Sequence, residues 1–165
     1  MDAHRCQVAQ LLFEDAIATD CPAWLALWMV AIACHESGWG RHVPGGSGAD
    51  GSNNWIGYHW VDGLGWAYYE ATDGGTGRRQ RYRKFRDRPE MFAKLLWLIE
   101  RSRYYREPRE QAAEQFAHAG DNHETKAAIR RVWMRDVSGV YCPADPGHGG
   151  SVLRIYRDIL REMEA

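Results

Sequence analysis

The stretch AIACHESGWG, residues 31–40, ends a long apolar run with one glutamate and two glycines. Upstream stand Trp24, Leu25, Leu27, Trp28, Met29, Val30 and Ile32, so the helix they form is apolar around most of its circumference. Such a helix belongs in the middle of a core. A carboxyl group at its end, Glu36, is costly to bury unless it is paired or protonated. Gly38 and Gly40 stop the helix and let other backbone come close. A carboxyl in that setting is a candidate general acid. The plainer reading is a solvated glutamate at a helix C-terminus.

The rest of the chain bounds what surrounds this helix. At 165 residues it is long enough for one domain with a real core and too short for two comfortable ones. With 21 Lys+Arg against 22 Asp+Glu the net charge is −1, which argues against a dedicated nucleic-acid binder. Eight Trp and eight Tyr exceed what one core needs. Surplus rings of this kind line grooves for sugars, bases or protein partners. Cys6, Cys21, Cys34 and Cys142 are spaced too irregularly for a zinc motif. Their even number leads us to expect at least one disulfide, although Cys34, inside the apolar helix, also suits a buried thiol. The first twenty residues read as an amphipathic helix rather than a Sec-type leader, and the apolar run is shorter than a membrane span. No stable membrane insertion is expected.

Periodicity places a helix over residues 3–18 and a second from Pro22, with Asp20 and Cys21 before it. Residues 40–65 form a Gly/Ser/Asn/Asp-rich loop that holds Trp55, Tyr58 and Trp60, a working surface rather than a linker. Trp66–Thr72 and Arg79–Phe85 read as a hairpin around DGGTG, with Tyr68 and Glu70 on one face. Asp87 caps a helix from Pro89 to about Ser102, and further helices are expected near Pro108–Ala119, Glu124–Val137 and Ser151–Met163. The fold class expected is mainly α, with a small β-hairpin lobe.

The order of motifs adds more. After Glu36-Ser37-Gly38-Trp39-Gly40 come Asn53-Asn54-Trp55-Ile56-Gly57-Tyr58, a hairpin carrying YYEAT, then Phe85-Arg86-Asp87-Arg88, and finally Tyr141-Cys142-Pro143-Ala144-Asp145. This order resembles glycoside hydrolase family 73, the bacterial peptidoglycan β-N-acetylglucosaminidases, over roughly residues 8 to 163. The first segment is similar to that family's ESGWG-like motif and the second to its N-N-L-F-G-I-like segment. Arg88 stands where the family has a tyrosine, and the last turn lacks the family's threonine. The resemblance implies a lysozyme-like helical fold and a single glucosaminidase-like catalytic domain over residues 1–165. It also implies cleavage of the β-1,4 bond after N-acetylglucosamine, an endo-β-N-acetylglucosaminidase activity.

Three catalytic positions follow from the resemblance. Glu36 takes the place of the acid, Glu70 that of a second carboxylate on the hairpin lobe, and Tyr141 that of a tyrosine close to the glutamate. Such chemistry needs one carboxylic acid to protonate the leaving oxygen, and either a second carboxylate or the substrate's own N-acetyl group. Asp73 is the fallback for the second acid, although its place in the turn suits turn-building. Asn53 and Asn54 carry amides suited to hydroxyl and N-acetyl groups, and also suited to tight turns. We expect one amide to shape the loop and the other to face the groove. Trp55 and Tyr58 are the expected sugar-stacking rings. No cofactor or metal is expected.

Other patterns carry less. His35-Glu36 opens an H-E-x-x-H look-alike, but Trp39 occupies the place of the second histidine, which excludes a zincin site. His118, His123 and His148 lack metal-ligand spacing and read as surface histidines. The run RRQRYRKFRDR, residues 78–88, reads as a solvated cationic face rather than a nucleic-acid site. The partners expected are peptidoglycan glycan strands and no nucleic acid. A lytic transglycosylase or a phage endolysin is the nearest alternative, and a non-catalytic glycan- or partner-binding module one of another class. With no leader in view, the chain also resembles glycoside-hydrolase effectors of type VI secretion. That likeness implies action in the periplasm of a target cell and a periplasmic immunity protein, and four cysteines suit an oxidising destination.

Overall fold

Helix α2 (Ala23–Glu36) is the axis of the molecule, and every residue from Leu25 to Cys34 on it is buried. A computed structural model describes residues 1–73, 76–142 and 147–164. Around α2 pack α1 (Ala3–Ile17), α3 (Arg88–Arg101) and α6 (His148–Glu164). Helix α5 (His123–Tyr141) lies against α6, and α4 (Arg106–Ala119) lies against α5, after a short 3-10 turn at Arg103–Tyr105. The described residues thus hold six helices, with one small antiparallel sheet between α2 and α3 in chain order. This is the mainly helical class with a hairpin lobe.

Local chemistry sets the helix ends. Asp2 caps α1, Asp87 caps α3 and Asn122 caps α5, each side chain accepting from a backbone N–H in the first turn. The end of α2 is a Schellman turn. Trp39 N–H donates to the Cys34 carbonyl and Gly38 N–H to that of His35, with Gly38 at φ +56°. A side chain on Gly38 would be strained and would press on the His42 ring, 2.8 Å from its Cβ position. The turn therefore fixes where Glu36 points and where the loop leaves.

In the sheet, β1 (Tyr68–Thr72) pairs with β2 (Arg79–Arg83), Tyr68 opposite Arg83 and Glu70 opposite Arg81. The loop before it is stitched to the free edge of β2: Trp60 N–H donates to the Arg81 carbonyl and Arg83 N–H to that of Tyr58. Gly74 and Gly75 of the expected turn lie outside the described residues, as do Pro143, Ala144 and Asp145 of the expected C-terminal turn.

Two expectations change here. The arginine run is not a bare cationic face, because Arg79 and Arg81 pair with Glu70, Arg83 with Glu90, Arg86 with Asp87 and Arg88 with Asp15. Acids supplied by the hairpin itself and by α1 and α3 hold these side chains, and single-strand alternation could not show them. The expected disulfide is also absent: all four cysteines are free. Cys21 and Cys34 are buried, and burial pushes the Cys34 thiol up to about 12, so it stays protonated and unreactive at neutral pH. Unfolding without reductant is expected to expose four titratable thiols per chain; a count of two would contradict the free-thiol structure.

Candidate active site

Glu36 is the last residue of α2, and its side chain is 24% exposed. Two clefts meet at it. One, of about 700 Å³, runs toward the hairpin past His42, Asn54, Trp55, Glu70 and Asp73. The other, of about 440 Å³, runs toward α3 and α5 past Tyr58, Tyr104, Tyr105 and Tyr141. Glu36, Gly57 and His59 line both. An extended ligand lying through the two would cross the carboxyl group in its middle. A further cavity of about 970 Å³ lies between α4, α5 and the start of α6, and Glu36 does not line it.

The two carboxylate oxygens have different surroundings. Oε1 lies 2.6 Å from Nε2 of His148, the first residue of α6, and Nδ1 of that ring lies 3.1 Å from the Ser138 carbonyl oxygen. Oε2 faces Gly57, where an added Cβ would stand 3.8 Å from it. His148 is 1% exposed, so the surface histidine expected at this position is a buried partner of Glu36 instead. Nothing in the spacing of these residues, 112 positions apart, signals the pair. Only the packing of α6 along α2 brings them together. His35, Glu36 and His148 hold donor atoms within 4.8 Å of one another, the one such group among the described residues that a divalent cation would find. Two ligands of a tetrahedral zinc stand roughly 3.3 Å apart, given bonds of about 2.0–2.1 Å. The 2.6 Å between Nε2 and Oε1 is too short for two such ligands and is instead a short hydrogen bond.

Tyr141, the last residue of α5, reaches this site from the other side. Its ring stacks on His148 at 5.8 Å between centroids, and its phenol donates to the Ile56 carbonyl. Burial, with the Glu36 charge nearby, pushes that phenol well above its usual range, so it remains a donor. Tyr141 therefore pins the loop that carries Gly57 and walls the second cleft, while its hydroxyl is committed to backbone.

Glu70 sits across the first cleft, on β1. Its carboxylate pairs with Arg81 at 3.1 Å and Arg79 at 3.3 Å and is 36% exposed. Asp73 takes the turn role: it accepts from the Thr76 N–H and hydroxyl and from the Tyr82 hydroxyl.

The two asparagines do not divide their work as expected. Asn53, at φ +52°, accepts from Gly48 N–H and donates to the carbonyls of Gly48, Phe85 and Arg86. Asn54 donates to the carbonyls of Tyr58 and Arg83 and accepts from Tyr58 N–H. Asn54 borders the cleft, yet both of its N–H groups are spent on backbone, because a loop of so many glycines has few other ways to satisfy its carbonyls. Its effect on the site is to close the turn that sets Gly57 beside Glu36.

Trp55 is 6% exposed, and its indole donates to Ser47 while its ring edge fills the space beside Gly40. It is core that borders the first cleft. Tyr58 is half-buried on the second, against Trp66, Phe85 and the Lys94 ammonium. The aromatic wall that sequence reasoning missed is there too. Tyr104 is 67% exposed, and Tyr105 is buried with its phenol pushed up to about 12.

No protein-family model and no curated protein matches this sequence. Solved structures do match in three dimensions. A C-terminally truncated glycoside hydrolase domain of FlgJ from Salmonella typhimurium superposes with a TM-score of 0.62 at 16% identity, covering 95% of this chain and 98% of that one. The catalytic domain of the autolysin Auto from Listeria monocytogenes gives 0.59 at 15% identity, covering 96% and 86%. At such identities the likeness is one of fold. This chain shares nearly its full length of that fold with both.

Proposed function

We propose that this protein is a peptidoglycan hydrolase in which Glu36 is the general acid. The observation that carries this reading is the place of Glu36, a half-buried carboxyl at the end of an apolar helix where two clefts join. The fold shared with glycoside hydrolase domains, one of them from an autolysin, supports the same reading. In it a glycan strand lies through both clefts, and Glu36 protonates the leaving oxygen as an oxocarbenium-like transition state forms. Tyr58 and Tyr104 offer ring faces for sugars in the second cleft. The bond we assign is the β-1,4 linkage after N-acetylglucosamine.

Glu70 is the second carboxylate of this proposal, supported by its place in the same cleft as Glu36. Glu70→Gln is expected to lower cleavage about 100-fold, the low end of the effect of a general base. Its exposed ion pairs contribute little to stability, so unfolding temperature is expected to stay within a few degrees. Unchanged cleavage would remove Glu70 from the reaction and leave substrate assistance by the N-acetyl group. Release of soluble fragments from dye-labelled sacculi tests the proposal as a whole. A binding module would sediment with the sacculi and release nothing. The effector reading drew on a resemblance and on four cysteines suited to an oxidising destination, and with all four thiols free the cysteines no longer favour it. Delivery to a target periplasm, with an immunity protein there, remains a proposal that a neighbouring gene for a signal-bearing, tightly binding partner would support.

A further inference from the structure

The His148 ring is fixed from every side. A carbonyl oxygen only accepts, so Nδ1, facing that of Ser138, carries a hydrogen. Two lone pairs do not face each other at 2.6 Å, so a second hydrogen lies between Nε2 and Oε1 of Glu36. The His35 ring meets His148 edge-on at 4.8 Å, and the Tyr141 ring lies nearly parallel to it at 18°. Gly149 lets α6 approach α5 closely, since a Cβ there would stand 2.9 Å from the Arg135 carbonyl oxygen. Three helices thus set the position of Nε2.

We infer that His148 is the positioning residue of Glu36, clamping Oε1 through a shared proton so that Oε2 is the oxygen that meets the substrate. This rests on the reading of Glu36 as the acid. In the reactive state Nε2–H donates to Oε1, and Oε2 carries a further proton taken up from solvent, which is the transferable one. That proton passes to the glycosidic oxygen as the C1–O bond breaks and its electron pair goes to the same oxygen. The charge left on Glu36 then falls on a carboxylate already accepting from Nε2–H, with no reorganisation needed. The N-terminus of α6 favours negative charge beside it, which also supports the carboxylate that forms. The other groups facing the pair are His35 from α2 and Tyr141 from α5, with His42, His59 and Glu70 along the cleft.

Two variants and one spectrum test the clamp. His148→Phe fills the space and donates nothing; His148→Gln keeps a donor near the place of Nε2. The Phe variant is expected to lower kcat about 100-fold, as a misplaced reacting group does, with KM within about twofold of the parent. The Gln variant is expected to recover part of that loss, with a pH–kcat profile that no longer carries the imidazole's contribution. A folded Phe variant with unchanged kcat, or one in which only KM moves, would overturn the inference. Should the Phe variant not fold, the Gln profile and the imidazole nitrogen spectrum of His148 carry the test. That spectrum is expected to change on Glu36→Gln substitution, and an unchanged spectrum would overturn the clamp. A spectrum that does change in a protein without lytic activity would sink the acid reading and leave the pair intact.

Discussion

Glu36→Gln is expected to abolish cleavage of sacculi, by about 1,000-fold or more, while leaving fold and wall binding in place. Glutamine is nearly isosteric with glutamate and can still accept or donate at His148, so the helix end and the clefts keep their shape. What it cannot do is give up a proton at Oε2, and general acid catalysis of this kind contributes roughly 100- to 10,000-fold. Because the carboxyl lies where both clefts meet, no other acid among the described residues lines both of them. Glu36→Asp separates chemistry from geometry. It keeps the carboxyl but withdraws it by one methylene from both His148 and Gly57, and a displacement of about 1 Å is enough to cost about 100-fold. An Asp variant as active as the parent would mean that the clamp and the cleft position are irrelevant to the reaction. Lysis that survives Glu36→Gln would remove Glu36 from the mechanism.

Asn53→Ala is expected to lower stability by about 4 kcal/mol without touching any reacting group. Three well-formed hydrogen bonds to backbone disappear, each worth roughly 1 kcal/mol net. Alanine is also strained at φ +52°, by about 1 kcal/mol. In a chain of this size that loss lowers the unfolding temperature by roughly 8–16 °C. Asn53→Gly relieves the strain but restores none of the bonds, so it is expected to recover about 1 kcal/mol of the loss. Denaturant unfolding of the two variants reads both contributions. If the Ala variant were as stable as the parent but lost wall binding, Asn53 would be facing sugar rather than building the loop.

The sequence showed its strongest elements where local signals and burial agree. Helix α2 is apolar all round, its Gly38 stop is a matter of backbone angle, and Asp87 before Pro89 is a capping pattern; all three are local. The hairpin itself also followed from alternation, but its register, with Glu70 opposite Arg81, came only with the fold. Helix starts drifted by one to three residues at α3, α4, α5 and α6, where caps and frayed turns decide the boundary. What could not be read is what depends on packing between distant elements. His148 read as a surface residue because its spacing fits no metal site and nothing near it in the sequence pairs it with Glu36. Gly149, the residue after it, is what lets α6 close on α5, and the ring is buried there. The asparagines misled for a related reason. Their amides suit sugars and backbone equally, and the number of carbonyls a glycine-rich loop leaves unpaired is visible only once it is folded.

The most direct measurement is mass spectrometry of sacculi digested by the purified protein, after borohydride reduction of the new chain ends. A hydrolase that uses Glu36 as acid and cuts after N-acetylglucosamine leaves reduced N-acetylglucosamine at those ends. Anhydro-muramic ends would contradict it, because they form when the glycan closes on itself and no water adds.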